Sequence, residues 1–231
     1  MGKFEGDVTV KVDDYEAEYA RVARWLDKSM PPEDGITYDV KLSNDQRATY
    51  ESVEVIKNLI DQGKKDLIVR KTAEKIVQYI APKDYAQEVA AIYNFVTRRL
   101  RYTKDIHRVE TVHRARELLR MHRKPADCDD FVILTSALLQ AIGHPVRLVI
   151  IGSNAQDKED FSHIYMQVYL GKKWVSLDGS VPGAKIGWEA PQFASKKIFS
   201  LDGHISDVEP ANKPSLILWL LVAIAVYSFI K

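Results

Sequence analysis

From Asp129 to Ile142 the chain reads Asp-Asp-Phe-Val-Ile-Leu-Thr-Ser-Ala-Leu-Leu-Gln-Ala-Ile, apolar almost all round once past the two aspartates. A helix without a polar face has to be buried on every side. This stretch therefore reads as a central helix, with Pro125 breaking what precedes it and Gly143 closing it. Its first turn carries Cys128, the single cysteine of the chain.

The segments before it read as helices. Asp13 or Asp14 caps a helix with the stripe Tyr15, Tyr19, Val22, Leu26 and Met30, ended by Pro31-Pro32. Ser43 or Asn44 opens another, with Tyr50, Val53, Ile56 and Ile60 on one face and Gly63 as its end. A third carries Val69, Ala73, Ile76, Val77 and Ile80 and stops before Pro82. A fourth carries Val89, Ile92, Tyr93, Val96 and Leu100. Extended chain at Arg101-Tyr102 leads to a helix near Val112 to Met121. Alternation at Val8, Val10 and Val12, and at Tyr38, Val40 and Leu42, predicts two short strands.

After the central helix the pattern changes. Val146 to Ile151 reads as a buried strand, and Ser162 to Leu170 with Lys173 to Leu177 as a hairpin turning at Gly171-Lys172. Ala190 to Gly203 is weakly patterned. Helices first and an antiparallel sheet afterwards make an α+β chain, not an alternating one. The organisation expected is an N-terminal strand and helix extension over 1–64, a core over 65–203, a polar linker over 204–214 and a hydrophobic tail over 215–231.

Leu216 to Ile230 is uncharged and lies between Lys213 and Lys231. It has 15 residues, about 22 Å as a helix, fewer than the roughly 17 residues a bilayer core usually needs. It reads as a short membrane anchor with Trp219 and Tyr227 near the interfaces, against a buried helix as the alternative. The N-terminus shows no apolar core for a secretory signal, and Gly6 spoils a myristoylation motif.

With 231 residues the chain can bury one good core. A net charge of +1 selects no partner by global field, and one cysteine excludes a disulfide framework or a cysteine-rich zinc site. The thiol has a more specific reading. A helix N-terminus favours its thiolate. The backbone N–H of Cys128 is placed to meet a developing oxyanion. Asp127, Asp129 and Asp130 argue against a simple packing cysteine, yet oppose a thiolate, so a cation is needed. His163 as imidazolium would supply it.

The hairpin brings in a third group. With the turn at Gly171-Lys172, Leu170 pairs with Lys173, Tyr165 falls opposite Asp178 and His163 opposite Ser180. His163 and Asp178 are then diagonal neighbours on one face, about 7–8 Å apart at their backbones. A carboxylate there fixes the imidazole tautomer. A one-residue slip would separate them.

The blocks Ala126-Asp-Cys-Asp-Asp-Phe, Ala137 to Arg147, Phe161 to Tyr169 and Trp174 to Asp178 resemble the transglutaminase-like superfamily of papain-like cysteine enzymes. The resemblance runs from about Leu67 to Trp188, with a compactness similar to tailed-phage and prophage versions. It implies a Cys-His-Asp triad at Cys128, His163 and Asp178 and acyl transfer through a thioester. No cofactor and no metal are implied. Ala126 stands where the family usually has glycine, and Gly179-Ser180 where it often has Pro-Thr. The family's upstream second oxyanion donor would be Tyr102. Trp174 and Trp188 are candidates to line a substrate groove, although Trp174 shares a face with Asp178 and would then cover the triad.

These readings predict a cysteine hydrolase, a peptidase or amidase acting on a protein or peptide. A protein-crosslinking transglutaminase and a non-catalytic membrane- or virion-associated assembly module are the alternatives. Arg98 to Lys124 is rich in arginine and lysine but lacks interleaved stacking aromatics. It reads as solvated helix faces, and nucleic acid is not expected as a partner. His107, His113 and His122 do not have metal-ligand spacing. The location expected is cytoplasmic or host-cell and virion associated, with the tail as the membrane attachment. The sequence leaves oligomeric state open.

Overall fold

The computed structural model describes residues 12–34, 47–103, 112–120 and 122–201. Among the described residues there are six helices and six strands, four helices first and four strands last with strands and helices interleaved between them, and the fold is α+β. The helices are α1 (Val12–Ser29), α2 (Arg47–Lys65), α3 (Leu67–Val77), α4 (Tyr85–Arg99), α5 (Ala115–Arg120) and α6 (Cys128–Ala141). The strands are β1 (Leu100–Tyr102), β2 (Lys124–Ala126), β3 (Val146–Gly152), β4 (His163–Tyr169), β5 (Trp174–Leu177) and β6 (Ser195–Ser200).

Every residue of α6 from Asp130 to Leu139 is buried. Helices α2, α3, α4 and α5 pack around it, and β4 and β3 cover the remaining side. That arrangement answers the all-round apolar sequence, since each buried Leu or Ile contributes about 1.5–3 kcal/mol relative to exposure. Asp127 caps the helix by accepting the N–H of Asp130 at 3.3 Å. At the other end Gly143 takes a positive φ of 92°, and its N–H bonds to the carbonyl of Gln140.

Four expectations about helix ends are corrected, two of them because α3 stops at Val77, short of Ile80, and Leu100 belongs to β1. α1 begins at Val12, so Asp13 and Asp14 lie in its first turn and Val12 is helical. Gly63 does not end α2, which continues to Lys65. A Cβ at Gly63 would sit 2.9 Å from the Cβ atoms of both Ala115 and Ala137. The glycine is there so that α2 can approach α5 and α6 closely, which outweighs its lower helix propensity. The expected strands at Val8–Val10 and Tyr38–Leu42, the caps Ser43 and Asn44, the linker and the tail lie outside the described residues. So does His107. Among the described residues no helix is long and apolar enough to cross a membrane.

The main sheet has the order β5-β4-β3-β6, antiparallel throughout. Its hairpin register runs from Tyr169↔Trp174 to Met166↔Leu177, with Leu170 N–H bonded to the Lys173 carbonyl at 2.9 Å. Ile164, Met166, Val168, Val175 and Leu177 join the main core. Tyr165, Val149 and Ile151 form a second cluster with Ala190 and Ile198. This is the period-two alternation of a sheet covered on both faces. Separately, β1 and β2 pair in parallel, with Tyr102 opposite Ala126.

Candidate active site

The start of α6 and the start of β4 meet at the thiol. Cys128 is the first helical residue, so its N–H has no acceptor within the helix. The backbone N–H of Ile164 points at the sulfur, which brings the beginning of β4 against the helix tip. His163 is the residue immediately before it. The thiol is half-buried and itself donates to Asp129 Oδ1 at 3.7 Å. Burial pushes the Cys128 thiol far up from its ordinary value. Asp129 and Asp127 push it further, against the opposing Ile164 N–H. At neutral pH the resting group is therefore a thiol. Its ionisation requires a base to take the proton.

The hairpin register brings an imidazole and a carboxylate together nearby. His163 Nε2 lies 2.7 Å from Asp178 Oδ2. With Nε2–H donating to the carboxylate, Nδ1 is the nitrogen left to accept a proton. Asp178 is 4% exposed, and its other oxygen accepts the Ser180 hydroxyl at 2.7 Å and the Ser180 N–H at 3.2 Å. Tyr93 holds the same turn through its hydroxyl, which donates to the carbonyls of Asp178 (3.0 Å) and Ala184 (2.9 Å). Burial, then the neighbouring Asp178 charge, raises the Tyr93 hydroxyl to about 12, so it stays a donor.

The imidazole has a second support. The Tyr165 ring stacks on it with centroids 6.3 Å apart and planes 24° apart. Tyr165 donates its hydroxyl to Glu189 Oε1 at 3.2 Å, where Gln167 also donates at 2.7 Å and Ser176 at 2.5 Å. Burial alone would raise the Glu189 carboxyl, but Ser176, Lys196 and Gln167 together hold it below the ordinary value. Burial and Glu189 push the Tyr165 hydroxyl strongly upward.

The structure thus joins His163 to Asp178 and brings β4 against Cys128. Among the described residues the thiol makes no hydrogen bond to the imidazole, its proton being turned to Asp129. Catalytic hydrogen bonds are often long before substrate binds. Tyr102 is 42% exposed on β1, beside the residue two before Cys128. Trp174 lies four residues before Asp178, about 13 Å along an extended strand. Its ring is covered by the Arg147 guanidinium at 4.4 Å and packs on Tyr169. Trp188 sits in the loop that folds over the outer face of the sheet, its N–H bonded to the Lys185 carbonyl. Neither tryptophan contacts the His163–Asp178 pair through any bond or ring contact described.

Ser180, Tyr93, Tyr165 and Glu189 were not singled out from sequence. Ser180 and Tyr165 had a signal, because extending the hairpin ladder puts them opposite His163 and Asp178. Asp130 also acquired a partner unforeseen: 2% exposed, it accepts the backbone and ring N–H groups of His113 at 3.1 Å each. Within the basic stretch, Arg98 pairs with Glu16, Arg114 with Asp34, Arg116 with Asp66 and Arg120 with Glu117. Arg99 is buried and donates to the Leu119 carbonyl.

Solved structures similar to the chain include a candidate protease from Parabacteroides distasonis (13% identity, TM-score 0.47, covering 74% of this chain and 32% of that one). A second is a candidate cysteine protease from Cytophaga hutchinsonii (17% identity, TM-score 0.43, 76% and 56%). A third is a TGase (17% identity, TM-score 0.33, 86% and 42%). The chain spans roughly a third to just over half the length of these structures. No curated protein matches the sequence. Residues 70–179, which hold most of α3, all of α4 to β5 and all three of Cys128, His163 and Asp178, match the family model described as the Transglutaminase-like superfamily.

Proposed function

We propose that the protein is a cysteine-dependent hydrolase acting on a peptide or amide bond. The observation that carries this reading is the 2.7 Å bond from His163 to Asp178 beside the helix tip bearing Cys128. In the reaction the Cys128 thiol rotates from Asp129 toward His163 and passes its proton to Nδ1. The sulfur attacks the acyl carbon, and the Cys128 N–H, with Tyr102 as a second donor, meets the oxyanion. His163 then protonates the leaving amine as the C–N bond breaks. Water, deprotonated by the same nitrogen, attacks the thioester and releases the acid. An amine in place of water would give a crosslink by the same steps.

An alkynyl iodoacetamide probe tests this. It should modify Cys128 faster than free cysteine at neutral pH, and His163→Ala should remove the advantage. Modification no faster than free cysteine counts against it.

A second reading is a non-catalytic assembly module, favoured by the thiol's bond to Asp129 and by the burial and carboxylates that suppress its ionisation. Retention of biological function in Cys128→Ala selects it. On either reading, the tail Leu216–Ile230 is proposed as the membrane attachment. Truncation before Pro214 should then release the protein from membranes.

A further inference from the structure

We propose that the cavity beside the Asp178 turn binds a carboxylate carried by the substrate. The proposal rests on the acyl-transfer reading above and names the substrate's chemistry. The cavity, about 560 Å³, lies between the last turns of α4, the end of β1, residues 122–123 and the loop 179–184. Arg98, Arg101 and Arg123 all line it, and among the described residues Glu16 is the single carboxylate residue in its wall. Glu16 is already engaged by Arg98 Nε at 2.8 Å. Among the described residues no carboxylate pairs with Arg101 or Arg123, and both are exposed. Two guanidinium groups with no carboxylate partner among the described residues, on one concave surface, concentrate anions there. Their planar forks match a carboxylate bidentately.

The backbone at Arg123 adds an independent observation. Its φ is 53°, in the left-handed region that glycine occupies freely and a side chain only at a cost. The conformation is fixed by a bond from Arg123 N–H to the Arg99 carbonyl at 2.7 Å. An arginine at a position suited to glycine, on the rim of a cavity, points to a side chain that is used.

The cavity also shares its walls with the candidate active site. Gly179 and Ser180 line it, and Ser180 holds the Asp178 carboxylate. Tyr102 lines it and pairs with Ala126, two residues before Cys128. Phe131, one turn into α6, forms part of the floor, and a Cβ at Gly179 would meet its ring at 2.8 Å. Asp127 and Asp129 surround the thiol with negative charge and repel an acidic side chain from it. The arginine cavity alongside offers that side chain a place. A peptide lying across Cys128 would thus present a neutral acyl group to the sulfur and its carboxylate to Arg101 and Arg123.

The test uses the full chain with Cys128→Ala, so that no turnover interferes, and fluorescence anisotropy with labelled peptides. The probes are a C-terminally amidated Ala-Glu repeat, the amidated Ala-Gln repeat and the Ala-Gln repeat with a free C-terminus. A labelled oligouridylate is the fourth. The Glu peptide should bind about tenfold tighter than the amidated Gln peptide. Arg101→Gln and Arg123→Gly should each remove most of that advantage while leaving the Gln peptide unchanged. Arg123→Gly should melt at the same or a higher temperature, since glycine suits the backbone. An equal gain from the free C-terminus identifies the carboxylate as terminal, and its absence identifies it as a side chain. Equal binding of Glu and Gln peptides, or a Glu advantage that survives both substitutions, overturns the proposal. Tighter binding of oligouridylate, lost in the same variants, overturns it in favour of phosphate. Binding is read without the thiol, so failure here leaves the acyl-transfer reading standing. Absence of thiol chemistry would likewise leave this binding result intact.

Discussion

The two ends of α6 each place a histidine against a carboxylate at the same distance. At the N-terminal end His163 Nε2 is 2.7 Å from Asp178, and at the C-terminal end His144 Nε2 is 2.7 Å from Glu88. His144 is only 6% exposed, with the edge of Tyr85 against its ring 5.6 Å away. Its backbone N–H closes the helix end on the Leu139 carbonyl. His163 has a 24% exposed side chain, and the helix tip beside it carries a thiol. The hydrogen bond alone therefore says nothing of chemistry. What differs is access to the second ring nitrogen and whether a nucleophile stands near it.

The largest effect that would sharpen this contrast is on thiol reactivity. His163→Ala or Asp178→Asn should slow acylation of Cys128 by about 10²–10⁴-fold, because the base is lost or its tautomer is no longer held. His144→Ala should leave that rate within about twofold while costing about 1–3 kcal/mol of stability through the orphaned Glu88. Stopped-flow labelling and thermal melts of the same variants measure both. A comparable rate loss in His144→Ala would break the comparison.

Much of this contrast is written locally in the sequence. Asp127 and Gly143 bracket α6 because caps and left-handed glycines act within one turn. Gly171-Lys172 fixes the hairpin register, and the register alone carries His163 to Asp178 across fifteen residues. β6 was missed because Ser-Lys-Lys-Ile-Phe-Ser is a short, polar edge strand whose pairing with β3 has no local signature. Gly63 reads as a helix end until Ala115 and Ala137 are seen to need its missing side chain. Glu189 with Tyr165, and Arg123 with Arg98 and Arg101, meet only through long-range folding. Composition and periodicity do not encode such meetings.

Packing at the middle of α6 should be less forgiving than either end suggests. Gly63→Ala forces α2 away from α5 and α6 and should destabilise by about 1–3 kcal/mol, read as a lower denaturation midpoint with an unchanged slope. A neutral result would mean that the helices separate easily.

A smaller effect concerns the charge beside the thiol. Removing the carboxylate in Asp129→Asn takes away a group that disfavours the thiolate, so labelling of Cys128 at neutral pH should rise and its pH profile shift downward. The sign for stability is the opposite of a paired carboxylate. Keeping the thiol protonated stabilises the fold fully below the ordinary value of 9.0, and that contribution is lost as pH climbs above it. An unshifted profile would place Asp129 outside the thiol's field. The smallest expected change is Tyr165→Phe, which keeps the ring on His163 but removes one of the donors to Glu189. It should alter the labelling rate by about two- to fivefold, within the range of one hydrogen bond.

The most direct measurement is the intact mass of the protein after brief incubation with a peptide library and acid quench. A mass increase equal to an acyl fragment, mapped to Cys128 and absent in His163→Ala, is the result expected of a thiol that passes its proton to that imidazole. A chain that keeps its unmodified mass with every peptide, while remaining folded, would contradict the account.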